Sequence, residues 1–294
     1  MRILVTGANG LLGQKLVELI LTKEDYLIAT AKSKLVLHLT KGEYYQLDIT
    51  NKDQVLEVIS KAKPDVVINT AAMTNVDLCE SEREKCWASN VTSVENLVAA
   101  CALSNTHLIH LSTDFIFDGT HGPLDEEAIP NPISYYGESK WAAEKVVQSS
   151  TIPWTITRTV LVYGVTKDMS RSNIVLWVKK SLEEGKTINV VNDQWRTPTL
   201  AEDLAMGCYL AATKKATGIF NISGEEIMTP YDIAIATADF FLLDKSLIKE
   251  TDSSKFTQAA KRPPRTGFIV KKAKMLLNFS PHTFSKGLFI LTRG

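Results

Sequence analysis

Short apolar runs alternate with amphipathic runs along the first 160 residues of this 294-residue chain. Near-continuous apolar runs are typical of strands buried in a parallel sheet, whereas an apolar residue every three or four positions predicts a helix with one buried face. Six strands are predicted here, at residues 2–5, 26–31, 44–49, 65–70, 107–112 and 154–159. Because helical patterns separate most of them, we expect a doubly wound α/β fold with a parallel sheet and right-handed crossovers.

The hydrophobic pattern becomes less regular beyond residue 165. In the first part, helices are predicted at residues 51–61, 80–104 and 134–149. In the second part, helices are predicted at 172–184, 201–212 and 229–241, and strands at 188–193 and 218–223. We therefore expect a main domain over residues 1–165. A smaller C-terminal α/β lobe should cover residues 166–294, with some of its elements returning to the main sheet.

Three glycines follow the first predicted strand at regular spacing: Gly7, Gly10 and Gly13, in the pattern G-x-x-G-x-x-G. An amphipathic run comes next, which predicts the strand, glycine turn and helix of a dinucleotide-binding Rossmann domain. Gly7 would turn the chain off the strand, Gly10 would admit a pyrophosphate, and Gly13 would let the helix pack closely. An ordinary turn is the alternative, but the position directly after an apolar strand favours a cofactor site.

The end of the second predicted strand bears on which dinucleotide is bound. An acidic residue there would bind the adenosine ribose hydroxyls of NAD. The chain has Lys32-Ser33-Lys34 instead, and cationic side chains suit the 2′-phosphate of NADP. We therefore expect NADP, with NAD as the alternative cofactor and a plain polar loop as the alternative role of these residues.

Composition and charge indicate an ordinary globular enzyme. Hydrophobic residues make up 45% of the chain, and 33 Lys+Arg balance 33 Asp+Glu, which argues against a nucleic-acid-binding protein. Residues 1–150 contain 13 of the cationic and 20 of the acidic residues, so the remainder contains 20 and 13. The basic second half could bind an anionic substrate, or it could simply be a solvated basic face.

The cysteines and histidines show no spacing typical of a metal site, so no metal is expected. We expect the four cysteines to be reduced thiols in a cytoplasmic protein. They are Cys79, Cys86, Cys101 and Cys208. The first residues show a strand pattern rather than a basic and apolar leader, and no run of 18 apolar residues occurs. We therefore expect no membrane partner.

A Tyr-x-x-x-Lys pair opens the helix predicted at residues 134–149. Tyr136 and Lys140 lie one helical turn apart and therefore project from the same face. A phenol is a weak acid at neutral pH, and a nearby ammonium group stabilises the phenolate and lowers its pKa. The pair can then exchange a proton with a substrate oxygen. Tyr135 competes for this role, but its partner four residues later is Ser139, which supplies no charge.

Thr113 follows the fifth predicted strand, where its hydroxyl can hold a substrate carbonyl beside Tyr136. With a glycine loop, a strand-end hydroxyl and a Tyr-Lys helix in this order, residues 1–270 resemble the extended short-chain dehydrogenase/reductase superfamily. Within it, the chain is most similar to the dTDP-4-dehydrorhamnose reductase family. The matching stretches are the glycine loop and residues 48–50, 69–77, 112–119, 136 with 140, 158–159, 193–194 and 198–199.

The resemblance implies cofactor contacts at several strand ends. Gly10, Leu11 and Leu12 would lie under the pyrophosphate, and Asp48 and Ile49 would border the adenine. The segment Ala71-Ala72-Met73-Thr74 would run beside the nicotinamide half, which Tyr136 and Lys140 would also contact.

The resemblance also implies substrate contacts. Thr113 and Asp114 would meet the substrate, and Arg262 matches a family Arg-Pro near the substrate nucleotide. Arg196 lies where the family usually has glycine between Gln and Pro-Thr. It could clamp a diphosphate through two parallel hydrogen bonds, or it could be a surface arginine.

Two further positions bear on the reaction. Asn90 matches a helix asparagine that often supports the lysine through water, and an ordinary polar helix residue is the alternative. Leu161 stands where the rhamnose enzymes usually carry a tryptophan that faces the sugar.

The implied activity is reduction of the C4 ketone of a deoxysugar on a nucleoside diphosphate by NAD(P)H, giving a product such as dTDP-rhamnose. Two alternatives stay open. One is a nucleotide-sugar epimerase or dehydratase, which regenerates its cofactor in each cycle. The other is a non-catalytic NADP-binding regulatory subunit of a methionine adenosyltransferase. The nucleobase, the sugar and the formation of a homodimer also stay open.

Overall fold

The computed structural model describes residues 1–168 and 172–293. The strands in this part are β1 Arg2–Thr6, β2 Tyr26–Ala31, β3 Glu43–Gln46, β4 Val66–Asn69, β5 His107–Thr113, β6 Trp154–Thr159, β7 Val162–Tyr163, β8 Ile188–Val191, β9 Thr199–Leu200, β10 Gly218–Asn221 and β11 Ile248–Thr251. Seven of them form a parallel sheet in the order β10-β6-β5-β4-β1-β2-β3. The order in which successive strands are added to the sheet reverses between β1 and β4. A crevice is expected at the carboxyl ends of the strands at such a point.

Helices cover both faces of this sheet. They are α1 Leu11–Leu21, α2 Lys52–Ala62, α3 Val76–Ser81, α4 Arg83–Trp87, α5 Ser93–Ala102, α6 Tyr135–Gln148, α7 Ile174–Glu183, α8 Ala201–Thr213, α9 Pro230–Phe241, α10 Lys271–Leu277 and α11 Phe284–Leu291. One face packs against α1 and α8, and the other packs against α2, α5 and α6. Because both faces are covered, β1, β4, β5 and β6 are buried at nearly every position, and the predicted doubly wound sheet is confirmed.

The second part of the chain contributes both to this sheet and to a smaller lobe. β10 pairs with β6, and α8 packs against α1. β8 and β11 form a separate parallel pair, covered by α7 and α9 through Val178, Leu182 and Ala238. Among the described helices, none has the length and apolar character needed to cross a membrane.

Two predicted elements differ from the structure. The helix predicted at 80–104 begins earlier, at Val76, and is divided at Glu82 into α3 and α4. Residues 88–92 then form a π-helical turn before α5, which a periodicity of 3.6 cannot predict. The third strand ends at Gln46 instead of 49, because Asp48 accepts hydrogen bonds from the backbone and hydroxyl of Thr50 and so forms a turn.

A buried ion pair joins α6 to the sheet. Nε and Nη2 of Arg158 on β6 donate to the two carboxylate oxygens of Glu144 on α6, at 3.0 and 2.7 Å. Both side chains are almost fully buried. Because α6 also carries Tyr136 and Lys140, this pair helps to fix the position of both reactive groups on the sheet.

Candidate active site

The carboxyl ends of β1, β4 and β5 lie side by side in the centre of the sheet. The glycine loop follows β1, residues 70–74 follow β4, and Thr113 is the last residue of β5. α6 packs against β5 and carries Tyr136 and Lys140 to the same edge. Four separate parts of the sequence therefore meet where the change in strand order leaves a crevice.

Side chains would disturb the backbone of the glycine loop at two positions. Gly7 has a φ of +66°, in the left-handed region, and a Cβ on it would lie 2.9 Å from Thr70 Oγ1. A Cβ on Gly13 would lie 2.1 Å from the Gly7 carbonyl oxygen, so Gly13 lets α1 pack against the loop itself. A Cβ on Gly10 would lie 3.3 Å from the same oxygen. Gly7 and Gly13 are thus needed for the turn, whereas Gly10 leaves its outer side open.

The loop leads directly into α1, with Gly10 as the N-cap residue. The N–H groups of Leu11, Leu12 and Gly13 precede the first hydrogen bond within the helix, in which Gln14 N donates to Gly10 O at 2.9 Å. These donors and the positive end of the helix dipole favour an anion at this point. The loop therefore fits a dinucleotide pyrophosphate.

Lys32 and Asp48 lie together beyond the ends of β2 and β3. Lys32 Nζ is 2.7 Å from Asp48 Oδ2, and the two residues line a surface cavity with Gln46 and Gln54. Burial opposes ionisation of Asp48, but hydrogen bonds from Lys32 and Thr50 outweigh it, so the Asp48 pKa lies below its ordinary value. A phosphate in this cavity could take the place of Asp48 beside the exposed ammonium group.

Asn9 joins the glycine loop to the segment after β2. Its Nδ2 donates to the Lys34 carbonyl at 2.9 Å, and its Oδ1 accepts from the Val36 N–H at 3.0 Å. On the other side of β3, the Ile49 carbonyl accepts a hydrogen bond from Asn96 at 3.1 Å. These contacts hold the loops that are predicted to surround the adenosine.

Asn90 holds the segment after β4. Its Oδ1 accepts from Met73 N at 2.8 Å, and its Nδ2 donates to Met73 O at 3.0 Å and to Ser139 Oγ at 2.9 Å. The π-helical turn presents Asn90 in this direction. Asn90 thus directly contacts Met73, Ser139 and Cys86, and its support of Lys140 through water stays a prediction.

The rest of this segment lines the crevice. Ala71 N lies 3.4 Å from Thr6 Oγ1, to which it donates. Ala72 is half-buried, and Thr74 is exposed at the surface. The four residues from Ala71 to Thr74 therefore follow the edge of the sheet between the glycine loop and α6.

Tyr136 lies in the first turn of α6, which Ser134 caps by accepting from Gly137 N at 3.2 Å. A Cβ on Gly137 would lie 2.1 Å from the Phe115 carbonyl oxygen, so this glycine lets α6 approach the segment after β5. The Tyr136 phenol lies beside the Thr113 hydroxyl, which acts to lower the phenol pKa, and its ring packs edge-on against Phe115 at 5.7 Å between centroids. The helix start thus brings the phenol to the hydroxyl at the end of β5.

Tyr135 contacts a different part of the molecule. Its ring lies 6.3 Å from that of Trp87 and 4.7 Å from the Arg83 guanidinium, and its backbone N–H donates to Glu80 at 2.8 Å. These residues belong to α3 and α4. The geometry therefore favours Tyr136 over Tyr135 as the reactive phenol.

Lys140 is buried beneath Tyr136, with 3% of its surface exposed. Its Nζ donates to the Leu111 carbonyl at 2.6 Å and lies 3.3 Å from His110 Nε2. Burial lowers the pKa of Lys140 to about 8, although the charge of Glu144 opposes this change. Lys140 can therefore gain and lose a proton in the neutral to mildly alkaline range.

Burial also affects Tyr136, in the opposite direction from the sequence prediction. It raises the pKa of the phenol well above the ordinary value, and the Thr113 hydroxyl offsets only part of the rise. The expected net lowering of this pKa is wrong for this structure, because burial outweighs the effects that act to lower it. Tyr136 therefore stays protonated at neutral pH, which is the state that a proton donor needs.

Asp114 is buried beside Thr113. Its Oδ1 accepts from Thr113 Oγ1 at 3.1 Å, and its Oδ2 accepts from Thr266 Oγ1 at 2.6 Å. Arg196 Nε lies 3.7 Å from the same Oδ2. Burial raises the pKa of Asp114, and the Arg196 charge and the two hydroxyls act against this rise. Asp114 thus connects the reactive hydroxyl to the second half of the chain.

Arg196 is buried, which excludes the surface alternative for this residue. Its Nη2 donates to the Pro263 carbonyl at 2.7 Å, and its Nη1 donates to the Trp195 carbonyl at 2.8 Å. Gln194 Oε1 lies 3.4 Å from Nη2. Protein acceptors thus engage both ends of the guanidinium group. A two-point clamp on a diphosphate would have to replace these contacts.

Arg262 forms a two-point ion pair with Asp77 on α3. Nη2 and Nη1 of Arg262 lie 2.6 and 3.2 Å from the two carboxylate oxygens, and Ala260 N donates to the same carboxylate at 3.0 Å. This contact holds the segment around residue 262 against the helix that follows Met73 and Thr74. Arg262 therefore lies at the entrance to the crevice.

The sequence analysis missed several residues of this edge, namely Asn69, Asp77, His110, Gly137 and Thr266. Asn69 and Asp77 lay within the stretch 69–77 that carried the resemblance but were given no role. Gly137 carried a local signal, since a glycine in the first turn of a helix costs stability unless another element packs against it. The others are defined by contacts between distant parts of the chain. Within residues 1–168 and 172–293, no group of three or more His, Cys, Asp or Glu side chains is arranged to hold a metal.

This fold and site define an extended short-chain dehydrogenase/reductase, with a glycine-rich dinucleotide loop and a Thr-Tyr-Lys set at one edge of a parallel sheet. The chain belongs to the RmlD substrate binding domain family, whose model matches residues 1–291.

Two relatives and one solved structure illustrate what the chain is similar to. The dTDP-4-dehydrorhamnose reductase of Aggregatibacter actinomycetemcomitans is 30% identical over 98% of this chain and 97% of that protein. Methionine adenosyltransferase 2 subunit beta of Xenopus laevis is 31% identical over 84% of this chain and 74% of that protein. The crystal structure of dTDP-4-dehydrorhamnose reductase from Bacillus anthracis in complex with NADP has a TM-score of 0.85 and 27% identity, over 99% and 98% of the two chains.

Proposed function

We propose that this protein is an NADPH-dependent reductase of the C4 ketone of a nucleotide-linked deoxysugar, similar in activity to the dTDP-4-dehydrorhamnose reductases. One observation carries the proposal. A buried phenol, Tyr136, lies beside the Thr113 hydroxyl at the same sheet edge as the glycine loop, with Lys140 one helical turn away. A carbonyl at this position would meet the phenol as a donor, and the Thr113 hydroxyl once its proton turns away from Asp114.

The side chains of this site supply the proton and the orientation. Reduced nicotinamide, when bound, supplies a hydride to the carbonyl carbon. The Thr113 hydroxyl, which donates to Asp114 in the structure, would turn its proton to the carbonyl oxygen and so orient it. Tyr136 would donate its proton to that oxygen as negative charge develops there. The ammonium group of Lys140 stabilises the charge that forms on the phenol.

NADP is the proposed cofactor, and Gly7, Gly10, Leu11, Leu12 and Gly13 would hold its pyrophosphate. Lys32 would bind the 2′-phosphate in the cavity that it lines. Asp48 and Ile49 would border the adenine, and Ala71, Ala72, Met73 and Thr74 would border the nicotinamide half. NADP in the related Bacillus anthracis reductase supports this cofactor.

We also propose that residues 1–165 bind the dinucleotide and that residues 166–294 contribute most of the substrate site. Asp114 and Arg262 would contact the sugar nucleotide, and Arg196 would act through Asp114 and the 263–264 segment. Four buried thiols, at Cys79, Cys86, Cys101 and Cys208, support the proposal of a reducing cytoplasmic location. A homodimer is a further proposal, which light scattering of the purified protein would test.

The decisive experiment is turnover of NADPH and NADH with a panel of nucleotide-linked 4-ketosugars. We expect oxidation of one NADPH for each ketone reduced, with a preference for NADPH over NADH. Product formation without net NADPH oxidation would favour an epimerase or dehydratase. No turnover with any of these substrates, together with specific binding to a methionine adenosyltransferase catalytic subunit, would favour the regulatory role.

A further inference from the structure

Three buried polar side chains form a row across the carboxyl edge of the sheet. Thr6, Asn69 and His110 are paired in register on β1, β4 and β5, so their side chains leave the same face of the sheet. Each is at most 1% exposed. The residues two positions earlier on these strands are apolar core residues, Leu4, Val67 and Leu108. Because polar groups are costly to bury without partners, a polar row that continues an apolar face needs an explanation.

The row is hydrogen-bonded along its length and ends at Lys140. Thr6 Oγ1 lies 2.6 Å from Asn69 Oδ1, and Asn69 Nδ2 lies 3.2 Å from His110 Nδ1. His110 Nε2 then lies 3.3 Å from Lys140 Nζ. At the other end, Ala71 N donates to Thr6 Oγ1 at 3.4 Å. The row therefore connects the proposed nicotinamide segment to the buried lysine.

The direction of these hydrogen bonds depends on the charge of Lys140. Burial, and to a smaller degree the charge of Lys140, hold the pKa of His110 well below its ordinary value, so the ring is neutral. A neutral imidazole donates from one nitrogen and accepts at the other. An ammonium group can only donate, so His110 Nε2 must then accept and Nδ1–H must donate. This state requires the Asn69 amide to be turned over, because in the structure its nitrogen faces His110 and its oxygen accepts from Thr6. After the turn, the Asn69 oxygen accepts from Nδ1–H and the Asn69 nitrogen donates to Thr6 Oγ1. A neutral amine can accept from Nε2–H, and Nδ1 then accepts from the Asn69 amide nitrogen.

We propose that His110 is a positioning residue for Lys140, and that the row of Thr6, Asn69 and His110 reverses its hydrogen-bond direction when Lys140 gains or loses a proton. Each charge state of the lysine then has a matched partner without water. The row keeps Nζ beside the Leu111 carbonyl while its proton count changes. The inference rests on the proposed reduction, in which Lys140 supports Tyr136, but the hydrogen-bond direction can be measured without turnover.

Other titratable groups also face Lys140. Glu144 and Tyr136 lie on the same helix, and Cys86 lies on α4, where its thiol is 3.4 Å from Ser139 Oγ. A hydrogen bond with Cys79 lowers the pKa of Cys86 to about 7, against the effect of burial. Because Cys86 titrates close to the range of Lys140, the experiment must separate the two groups.

Nitrogen NMR of the ¹⁵N-histidine-labelled protein tests the reversal without substrate. The signal of His110 is identified by its loss in His110→Gln. We expect the proton to reside on Nδ1 at neutral pH and on Nε2 at high pH, with a midpoint near the Lys140 pKa of about 8. The transition should persist in Cys86→Ser with a somewhat lower midpoint, because the charge of Cys86 raises the pKa of Lys140. A single tautomer over the whole range, or a transition that disappears in Cys86→Ser, would overturn the proposal.

Three substitutions of His110 test the contact with Lys140. In His110→Gln, the amide reaches the place of Nε2 and keeps the contact with Lys140. In His110→Asn, the amide reaches the place of Nδ1 and keeps only the contact with Asn69. His110→Phe keeps neither contact. A charge-assisted hydrogen bond is stronger than a neutral one, so losing it should disfavour the ammonium form. We expect His110→Asn and His110→Phe to lower kcat about tenfold and to move the alkaline limit of kcat/KM down by about one pH unit.

His110→Gln should keep kcat and the alkaline limit close to those of the wild type, and the KM for NADPH should change little in all three variants. Thermal unfolding is measured beside the kinetics. A loss in His110→Gln as large as in His110→Phe, or a wild-type alkaline limit in His110→Asn, would show that the Lys140 contact is not responsible. If His110→Phe does not fold, the tautomer measurement on the wild-type protein still decides the proposal. If no substrate is turned over, the proposed function fails, but the tautomer result stands by itself.

Discussion

Tyr136 and Lys140 share a buried edge of the sheet where water stabilises neither of their charged forms. Burial therefore raises the pKa of the phenol and lowers that of the ammonium group to about 8. With these two shifts, the phenol stays protonated at neutral pH and the lysine can lose its proton in the mildly alkaline range. A protonated phenol is the state that the proposed reduction needs. Asp114, also buried, has a raised pKa and is held by Thr113 and Thr266.

Replacing Tyr136 by Phe removes the proposed proton donor and leaves the ring packing against Phe115 largely intact. We expect kcat to fall by about 10²-fold or more, with little change in the affinity for NADPH. Steady-state kinetics and a fluorescence titration of NADPH measure the two effects. Tyr135→Phe is the matched control, since that ring contacts α4. A larger loss of kcat in Tyr135→Phe than in Tyr136→Phe would show that the proposed assignment to Tyr136 is wrong.

The pKa of Lys140 predicts a pH dependence. It is lowered from 10.5 to about 8, so the ammonium form is present below this pH and is lost as the pH rises through it. Because that charge supports proton donation by Tyr136, kcat should decrease above about pH 8. A rate profile at constant ionic strength tests this, and a rate that stays constant far above this pH would contradict the role of Lys140.

At the scale of secondary structure elements, two glycines set the distances on which the site depends. Gly13 lets α1 approach the Gly7 carbonyl, and Gly137 lets α6 approach the Phe115 carbonyl. In both places a Cβ would lie 2.1 Å from a backbone oxygen, which no side-chain adjustment can relieve. A glycine thus positions both helix N-termini of the site, the start of α1 that is proposed to face the pyrophosphate and the start of α6 that carries Tyr136.

Alanine at Gly13 and at Gly10 should therefore have different effects. Gly13→Ala forces α1 away from the loop, and we expect a loss of stability of about 1–3 kcal/mol or more, together with weaker NADPH binding. Gly10→Ala meets the Gly7 oxygen at 3.3 Å in an extended N-cap conformation, so stability should change by at most about 1 kcal/mol. Urea unfolding measures both changes.

The binding of NADPH to Gly10→Ala then tests the position of the pyrophosphate. If the phosphates lie against Gly10, the added methyl group should weaken binding by about tenfold, a cost of about 1.4 kcal/mol. Unchanged affinity in this variant would mean that the pyrophosphate does not contact the loop at Gly10.

At the scale of the whole molecule, residues 260–266 join the second half of the chain to the dinucleotide-binding half. Arg262 pairs with Asp77, Thr266 donates to Asp114, and Arg196 donates to the Pro263 carbonyl. These contacts connect positions far apart in the sequence, and they surround the crevice on the side opposite the glycine loop. The segment therefore closes the proposed substrate site from the second half of the chain.

Asp77→Asn weakens the ion pair that holds this segment. Because the pair is partly exposed, we expect the free energy of unfolding to change by less than about 1 kcal/mol. The KM for the nucleotide sugar should rise by about three- to tenfold, because the segment would be less well positioned. Glu183→Gln, which breaks the surface pair with Lys179, is the control and should change neither quantity. An unaltered KM in Asp77→Asn would show that residues 260–266 do not contribute to the substrate site.

The sequence by itself determined the elements that depend on local pattern. The bounds of β2 and β6 agree with the predicted strands, and the Asn51 side chain caps the helix predicted at residues 51–61. Hydrophobic periodicity, a capping side chain and a glycine turn are each encoded within a few residues, so they can be read without the rest of the chain. The order of these elements also determined the doubly wound sheet.

Only the tertiary structure decided how the side chains of the site are used. The in-register row that ends at His110, the burial of Arg196 and the pair between Asp77 and Arg262 all depend on strands and segments that are distant in sequence. The pKa of Tyr136 was predicted in the wrong direction because burial outweighs a charge one helical turn away. Contacts and desolvation belong to the assembled molecule, since they are set by what packs around a group rather than by its neighbours along the chain.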